Sequence, residues 1–354
     1  MTDEIKKHRD QIDLLDEQII KILNQRASHA SAIGKIKQGA RYRPEREAQI
    51  LRRIKQLNTG PLAAETLIHV YREIMSACFS MEQATRVAYL GPSGTFSEAA
   101  AIQHFGHVAA FDACASVDEA LHKVEAESAD YAIVPVENSS EGTVGRTLDL
   151  LVQTPLKICA EALLRVHQHI LSKAGSLKSI KKIYSHPQAF AQCDRWLNQN
   201  LAKARRIPMA STAEAAHLAS QEINAGAIAG ELAAVRYGLK IAAKSIEDEP
   251  NNTTRFWVIG KHDAQPSGED KTTLVLSAKN QPGALYDLLT PLAKNKINMT
   301  KLESRPAHAG IWEYMFFVDI EGHRQDKQIA EVLEQLTKNA AYINVLGSYP
   351  MAVI

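Results

Sequence analysis

Two sets of residues could do chemistry, and they differ in kind. The first is cationic and N-terminal: Arg9, Arg26 and Lys37, then Arg46 and Glu47, then Cys78 and Glu82. Arg26 stands on a seven-residue row otherwise held by Ile5, Ile12, Ile19 and Ile33. A cation in an apolar row costs stability unless it is paired or faces a polar cavity. About three helical turns separate Arg26 from Lys37, so both point the same way. Arg9 lies too far along the axis to share their pocket on one chain, but in a head-to-tail helix pair it reaches the partner's. If the substrate is anionic, a local cluster of this kind must capture it. The same pattern is equally that of a coiled-coil dimerisation module with solvated charges.

The second set is nearly uncharged. It lies in four segments: YLGPSGTFS (89–97), VPVENSSEGTV (134–144), YSHPQAFAQC (184–193) and EPNNTTRFWVIG (249–260). They supply Thr95; Glu137, Asn138 and Ser139; Ser185, His186 and Gln188; and Thr253, Thr254 and Arg255. Hydroxyls and amides after a strand can bind carboxylate oxygens and steer a proton, and sites of open α/β sheets gather at such ends. Singly, each segment reads equally well as a turn.

The elements that must position these residues fall into three regions. Residues 3–38 hold no Pro and one Gly, with a second apolar row at Leu15, Ile22 and Ile36. That repeat predicts one helix on the order of 50 Å long, too long to bury its stripe within its own region, so a partner chain is expected. Shorter helical patterns follow to about residue 84. From Arg86, strand runs (VAYL, YAIVPV, KIYS, AIAG, RFWVIG) alternate with helical patterns. This predicts an α/β region with a largely parallel sheet. After the polar stretch 261–270, the order strand, helix, strand, strand, helix, strand predicts a ferredoxin-like α+β unit. Domains are expected over 1–85, 86–262 and 271–354.

The formal charge of +1 gives no field that would draw nucleic acid or an anionic membrane. The four cysteines form no CxxC pair and read as free thiols of a reducing compartment. The N-terminus is unlike a signal peptide, and no apolar run approaches the length of a membrane span. A cytoplasmic protein is expected. Since neither metal-ligand spacing nor a nucleotide loop occurs, the expectation is no metal and no cofactor.

The segments HRDQIDLLDEQIIKILNQRASHASAIGKIK, YRPEREAQIL and YREIMSAC resemble the all-helical chorismate mutases. The resemblance implies an intertwined dimer in which Arg9 (from the partner chain) and Arg26 hold the substrate carboxylates. Lys37 and Glu82 address the ether oxygen, Arg46 and Glu47 hold the ring hydroxyl, and Cys78 lines the site. Cys78 stands where Ser is frequent in that family, Glu82 where Gln is, and Arg43 where an Asp contact often sits. A glutamate donates to the ether oxygen only when protonated, so the mutase rate should fall as pH rises.

The four polar segments, in their order and spacing, resemble the prephenate dehydratases, and the Thr254-Arg255-Phe256 signature is intact. The resemblance implies two α/β lobes, like a periplasmic binding protein, closing on prephenate. Thr254 would sit at the leaving hydroxyl, with Glu137 or His186 as the proton source. Thr95, Asn138, Ser139, Ser185, Gln188 and Thr253 would bind substrate, and Arg255 would hold a carboxylate or brace the lobe. Arogenate is the competing substrate; a ligand-binding module without chemistry is the competing class. The last region resembles an ACT domain. Pro282, Gly283, Ala284 and Leu285 (in GALYDLL), with Glu303, Ser304 and Arg305 (in ESRP), imply L-phenylalanine as a feedback ligand between paired domains. Deleting everything after Lys261 should then remove inhibition. Together the resemblances imply a bifunctional chorismate mutase/prephenate dehydratase, or else a dehydratase whose helices only dimerise.

Overall fold

The computed structural model describes residues 2–36, 42–81, 85–278, 281–306 and 314–353. Three helices come first: α1 (Thr2–Ile36), α2 (Pro44–Leu57) and α3 (Ala64–Ser80). Pro44 opens α2 where its missing N–H costs nothing. α1 packs chiefly on α3 and leaves its apolar rows in solvent, Ile12 at 54% and Ile22 at 60% exposure.

The central region follows in the order β1 (Arg86–Leu90), α4 (Phe96–Phe105), β2 (Ala110–Cys114), α5 (Val117–Glu125), β3 (Tyr131–Asn138), β4 (Gly142–Thr143), α6 (Gly145–Gln153) and β5 (Lys157–Arg165). The chain then crosses to a second lobe: β6 (His169–Ser172), β7 (Lys182–Ser185), α7 (Pro187–Gln192), α8 (Asp194–Asn200), β8 (Arg205–Pro208), α9 (Thr212–Ser220), β9 (Ala225–Ala229), α10 (Glu231–Tyr237) and β10 (Lys240–Ala243). It returns as β11 (Thr253–Gly260). The first sheet runs β2-β1-β3-β11-β5 with β4 on β3, the second β10-β6-β9-β7-β8. Each lobe is therefore an α/β layer, and two crossings join them.

The expectation of a largely parallel sheet is corrected. β1 is parallel to β2 and β3, and β7 to β8 and β9, but β11 runs antiparallel to both β3 and β5. β6 is likewise antiparallel to β9 and β10. Apolar strands buried on both faces look alike in either direction, so the returning strand is not distinguishable by composition. Helix starts are well made: the Ser116 and Ser211 side chains accept the backbone N–H of Glu119 (3.1 Å) and Glu214 (3.0 Å).

The C-terminal unit is β12 (Asp270–Ser277), α11 (Ala284–Lys294), β13 (Met299–Pro306), β14 (Tyr314–Glu321), α12 (Lys327–Asn339) and β15 (Tyr342–Pro350). Its antiparallel sheet has the order β13-β14-β12-β15, the ferredoxin-like arrangement. It does not hang from a linker. Val275, Phe317, Leu346 and Tyr349 join the core of the first lobe. Gly347 lets β15 lie on β5, where an added Cβ would meet the Ile158 carbonyl at 2.2 Å.

The helical region is anchored too. Tyr42 is buried among Phe105 and Tyr131 of the first lobe, with ring centroids 5.3 and 5.1 Å away. Its hydroxyl lies 2.5 Å from His104 Nε2. Arg52 donates to the carbonyls of Ser267 (3.2 Å) and Glu269 (2.7 Å), and Arg72 to that of Val353 (3.1 Å).

Candidate active sites

The lobes enclose a cleft of about 660 Å³. Thr95, Asn138, His186, Gln188 and Thr254 line it, as four separate segments converge there. At its floor Asn138 Nδ2 donates to Thr254 Oγ1 (2.9 Å) and to Asn252 Oδ1 (2.8 Å). Asn138 Oδ1 accepts the Ser140 N–H (3.0 Å), which fixes the amide's orientation. Thr254 Oγ1 is thus an acceptor from Asn138 and keeps its own proton for the cleft. His186 caps α7 and its Nδ1 accepts the Gln188 N–H (3.3 Å), so a neutral imidazole carries its proton on Nε2. Among the described lining residues the ionisable side chains are His186 and Glu214, with no Lys or Arg. The amide ends of α4 and α9 are left to face a carboxylate.

Other expected residues are placed elsewhere. Ser185 is fully buried and donates to the Ile228 carbonyl (2.9 Å), a tie within the second sheet. Ser139 accepts the Thr253 N–H (3.0 Å), and Thr253 Oγ1 donates to the Asn251 carbonyl (3.3 Å), so both tie the end of β3 to the start of β11. Glu137 and Arg255 leave the opposite face of their strands from Asn138 and Thr254, because successive strand residues alternate. Glu137 pairs with Lys301 (3.0 Å). Arg255 is buried against Glu161 (2.8 Å), Asp319 and the Tyr349 hydroxyl (2.9 Å). Arg255 braces the lobe against the C-terminal unit and does not line the cleft. Phe96, Gln168, Ser211, Thr212 and Asn252 line the cleft without having been singled out. The Ser211-x-x-Glu214 capping box was a readable signal for Ser211.

The helical site is partly assembled. Arg26 Nη1 lies 3.1 Å from Cys78 Sγ, joining α1 to α3. Arg9 and Arg46 are exposed. Lys37 and Glu82 lie outside the described residues. Glu47 is not brought to Arg26; it lines a small cavity with Tyr42, Arg72 and His104 at the seam with α4. Burial there pushes the Glu47 carboxyl up to about 7, against the pull of Arg72. Burial, with Arg72 adding, pushes His104 down to about 3.

In the C-terminal unit Gly283 caps α11 at φ +80, with open space where a Cβ would be. Pro282 is exposed, and Ala284 and Leu285 are half-buried. Along β13 the motif divides by face. Ser304 is exposed, whereas Glu303 accepts from Thr143 Oγ1 (3.0 Å) and Arg305 pairs with Asp149 (2.8 Å). Glu303 and Arg305 thus hold the first lobe, and an effector on the open face would meet Ser304.

Fold and cleft define a two-lobed α/β protein with a ferredoxin-like appendage. The prephenate dehydratase family model matches residues 87–264, chorismate mutase type II residues 8–83, and the ACT domain residues 272–338. A bifunctional chorismate mutase/prephenate dehydratase of Neisseria gonorrhoeae is 52% identical over 98% of this chain and 97% of its own. One of Pseudomonas aeruginosa is 43% identical over 99% of both. A solved prephenate dehydratase of Arthrobacter aurescens in complex with L-Phe has a TM-score of 0.70 at 36% identity, covering 75% of this chain and 90% of its own. The chain belongs to the bifunctional chorismate mutase/prephenate dehydratase family.

Proposed function

We propose that the chain rearranges chorismate to prephenate in its helical region and converts prephenate to phenylpyruvate, carbon dioxide and water in the cleft, with L-phenylalanine as feedback inhibitor. The observation that carries the dehydratase reading is the Asn138–Thr254 hydrogen bond, which leaves the threonine proton free to face substrate. Prephenate loses carbon dioxide and hydroxide together, leaving phenylpyruvate, and one added proton turns hydroxide into water. Thr254 donates a hydrogen bond to the departing hydroxyl. Because a threonine hydroxyl hardly ionises, the proton comes from elsewhere; His186 supplies it as imidazolium, giving up its Nε2 proton and remaining as the neutral ring protonated on Nδ1, so the Gln188 N–H must release Nδ1 for that step. Helix amides without a lining cation hold the side-chain carboxylate while leaving the ring carboxylate free to depart as a neutral molecule. The decisive test is Thr254→Ala in the full chain. Phenylpyruvate formation should fall at least about 100-fold while chorismate consumption is unchanged; retained turnover would refute the assignment.

Chorismate is held by Arg26 and by Arg9 of a second copy, in a homodimer. Seventeen residues separate the two on α1, about 25 Å of helix, so one chain cannot close both on one substrate. Pairing would also cover the exposed apolar rows of α1, a gain on the order of 5–10 kcal/mol per chain. Phenylalanine binds at Pro282, Gly283, Ala284 and Leu285, where free helix amides meet a carboxylate, with Ser304 nearby. Gly283→Val, strained at its positive φ, should raise the half-inhibitory phenylalanine concentration at least about tenfold; unchanged inhibition would count against this site. The four cysteines are unpaired and buried, which fits a cytoplasmic setting.

A further inference from the structure

Behind the cleft, the register of β3 and β11 sets two cross-strand pairs side by side: Thr254 opposite Asn138, and Arg255 opposite Glu137. Alternation puts the first pair on the cleft face and the second on the face covered by the C-terminal sheet. Three strands of that sheet hold the second pair. Asp319 of β14 pairs with Arg255, and the Tyr349 hydroxyl of β15 accepts from Arg255 Nη2 at 2.9 Å. Thr273 of β12 hydrogen-bonds both, to Asp319 Oδ1 at 2.6 Å and to the Tyr349 hydroxyl at 2.6 Å. Lys301 of β13 pairs with Glu137 at 3.0 Å and donates to Thr143 of β4 at 3.0 Å. Glu161, Arg255 and Asp319 are each less than a tenth exposed, and Lys271 neutralises Glu161 at 3.1 Å. A shift of the sheet therefore cannot leave these charges in place.

We propose that Asp319, Tyr349 and Lys301, all outside the dehydratase lobes, are positioning residues for the dehydratase reaction. By gripping Arg255 and Glu137 they set the separation of β11 and β3, and with it the Asn138–Thr254 hydrogen bond. This rests on the reading of Thr254 given above. β13 has two faces: Lys301, Glu303 and Arg305 hold the first lobe, while Leu302 and Ser304 are exposed on the other. A ligand on the exposed face moves the same strand that holds Glu137, which gives it unequal affinity for two settings of the catalytic pair.

The test uses full-chain Asp319→Asn, Lys301→Met and Tyr349→Phe, the last keeping the ring and removing one hydroxyl. Dehydratase kcat should fall about tenfold or more in the first two and roughly threefold in the third, with KM within about twofold and the mutase rate unchanged. L-phenylalanine should bind by calorimetry as in the wild type, yet suppress a smaller share of the remaining activity. Wild-type kcat with full inhibition, or a loss confined to KM, overturns the proposal. If Asp319→Asn fails to fold, the other two variants decide. Thr254→Ala, run alongside, separates the two readings: its retained activity defeats the catalytic pair, whereas its inactivity beside fully active Lys301→Met and Tyr349→Phe defeats only the positioning role.

Discussion

The two catalytic regions are built on opposite plans. The dehydratase cleft draws its residues from four distant segments, yet one chain brings them together, down to the 2.9 Å contact of Asn138 with Thr254. The mutase residues are closer in sequence, yet among the described residues one chain joins Arg26 to Cys78 while Arg9 is exposed on its helix. A two-lobed fold can surround its substrate, whereas a single long helix cannot surround anything. The proposed pairing of two copies is what the second plan would need.

The sharpest way to break that contrast is complementation. Arg9→Ala and Arg26→Ala chains should each lose mutase activity by at least about 100-fold. Mixed and refolded together in equal amounts, they should recover about a quarter of the wild-type rate, because half the dimers are mixed and each holds one intact site. No recovery would mean that both arginines serve the same chain's site. Dehydratase activity should be unaffected throughout.

A smaller effect is expected of Glu82→Gln. An amide donates without needing a proton, so the fall of the mutase rate towards high pH should flatten, by about tenfold at the alkaline end. An unchanged profile would remove Glu82 from the ether oxygen.

The smallest effects concern stability at the seam. Glu47 is raised to about 7, so the folded protein holds a proton there that the unfolded chain has lost; stability drops as pH climbs from about 4.5 to about 7. His104 is lowered to about 3, so the unfolded chain takes up a proton that the folded one refuses; stability drops as pH falls from about 6.5 towards 3. The two oppose each other over their common range. Thermal unfolding of Glu47→Gln should show a shallower decline as pH climbs from about 4.5 to about 7, and of His104→Gln a shallower decline as pH falls from about 6.5 towards 3. Parallel curves for variant and wild type would place these side chains in water.

Much of this was legible in the residues. The seven-residue apolar repeat announced α1, and the polar segments announced the cleft. Side-chain direction was legible too, but only by counting alternation: with Thr254 facing the cleft, Arg255 must face away, and likewise Glu137 beside Asn138. Strand direction was not legible, since AIVPV and FWVIG bury both faces and read alike forwards and backwards. The roles of Glu303 and Arg305 were hidden for another reason. Their partners, Thr143 and Asp149, lie about 160 residues away and have no pattern of their own. Contacts of that kind also alter the deletion expected to free the enzyme from inhibition: cutting after Lys261 would strip Arg255 of Asp319 and Tyr349, and Glu161 of Lys271, so point substitutions are the cleaner route.

Tyr42 has a wider consequence. It belongs to the helical region, yet its ring completes an aromatic group with Phe105 and Tyr131 of the neighbouring lobe. Splitting the gene between the two regions would leave one product with an exposed tyrosine and the other with a hole in its core. The shared ring therefore ties the stability of each region to the presence of the other.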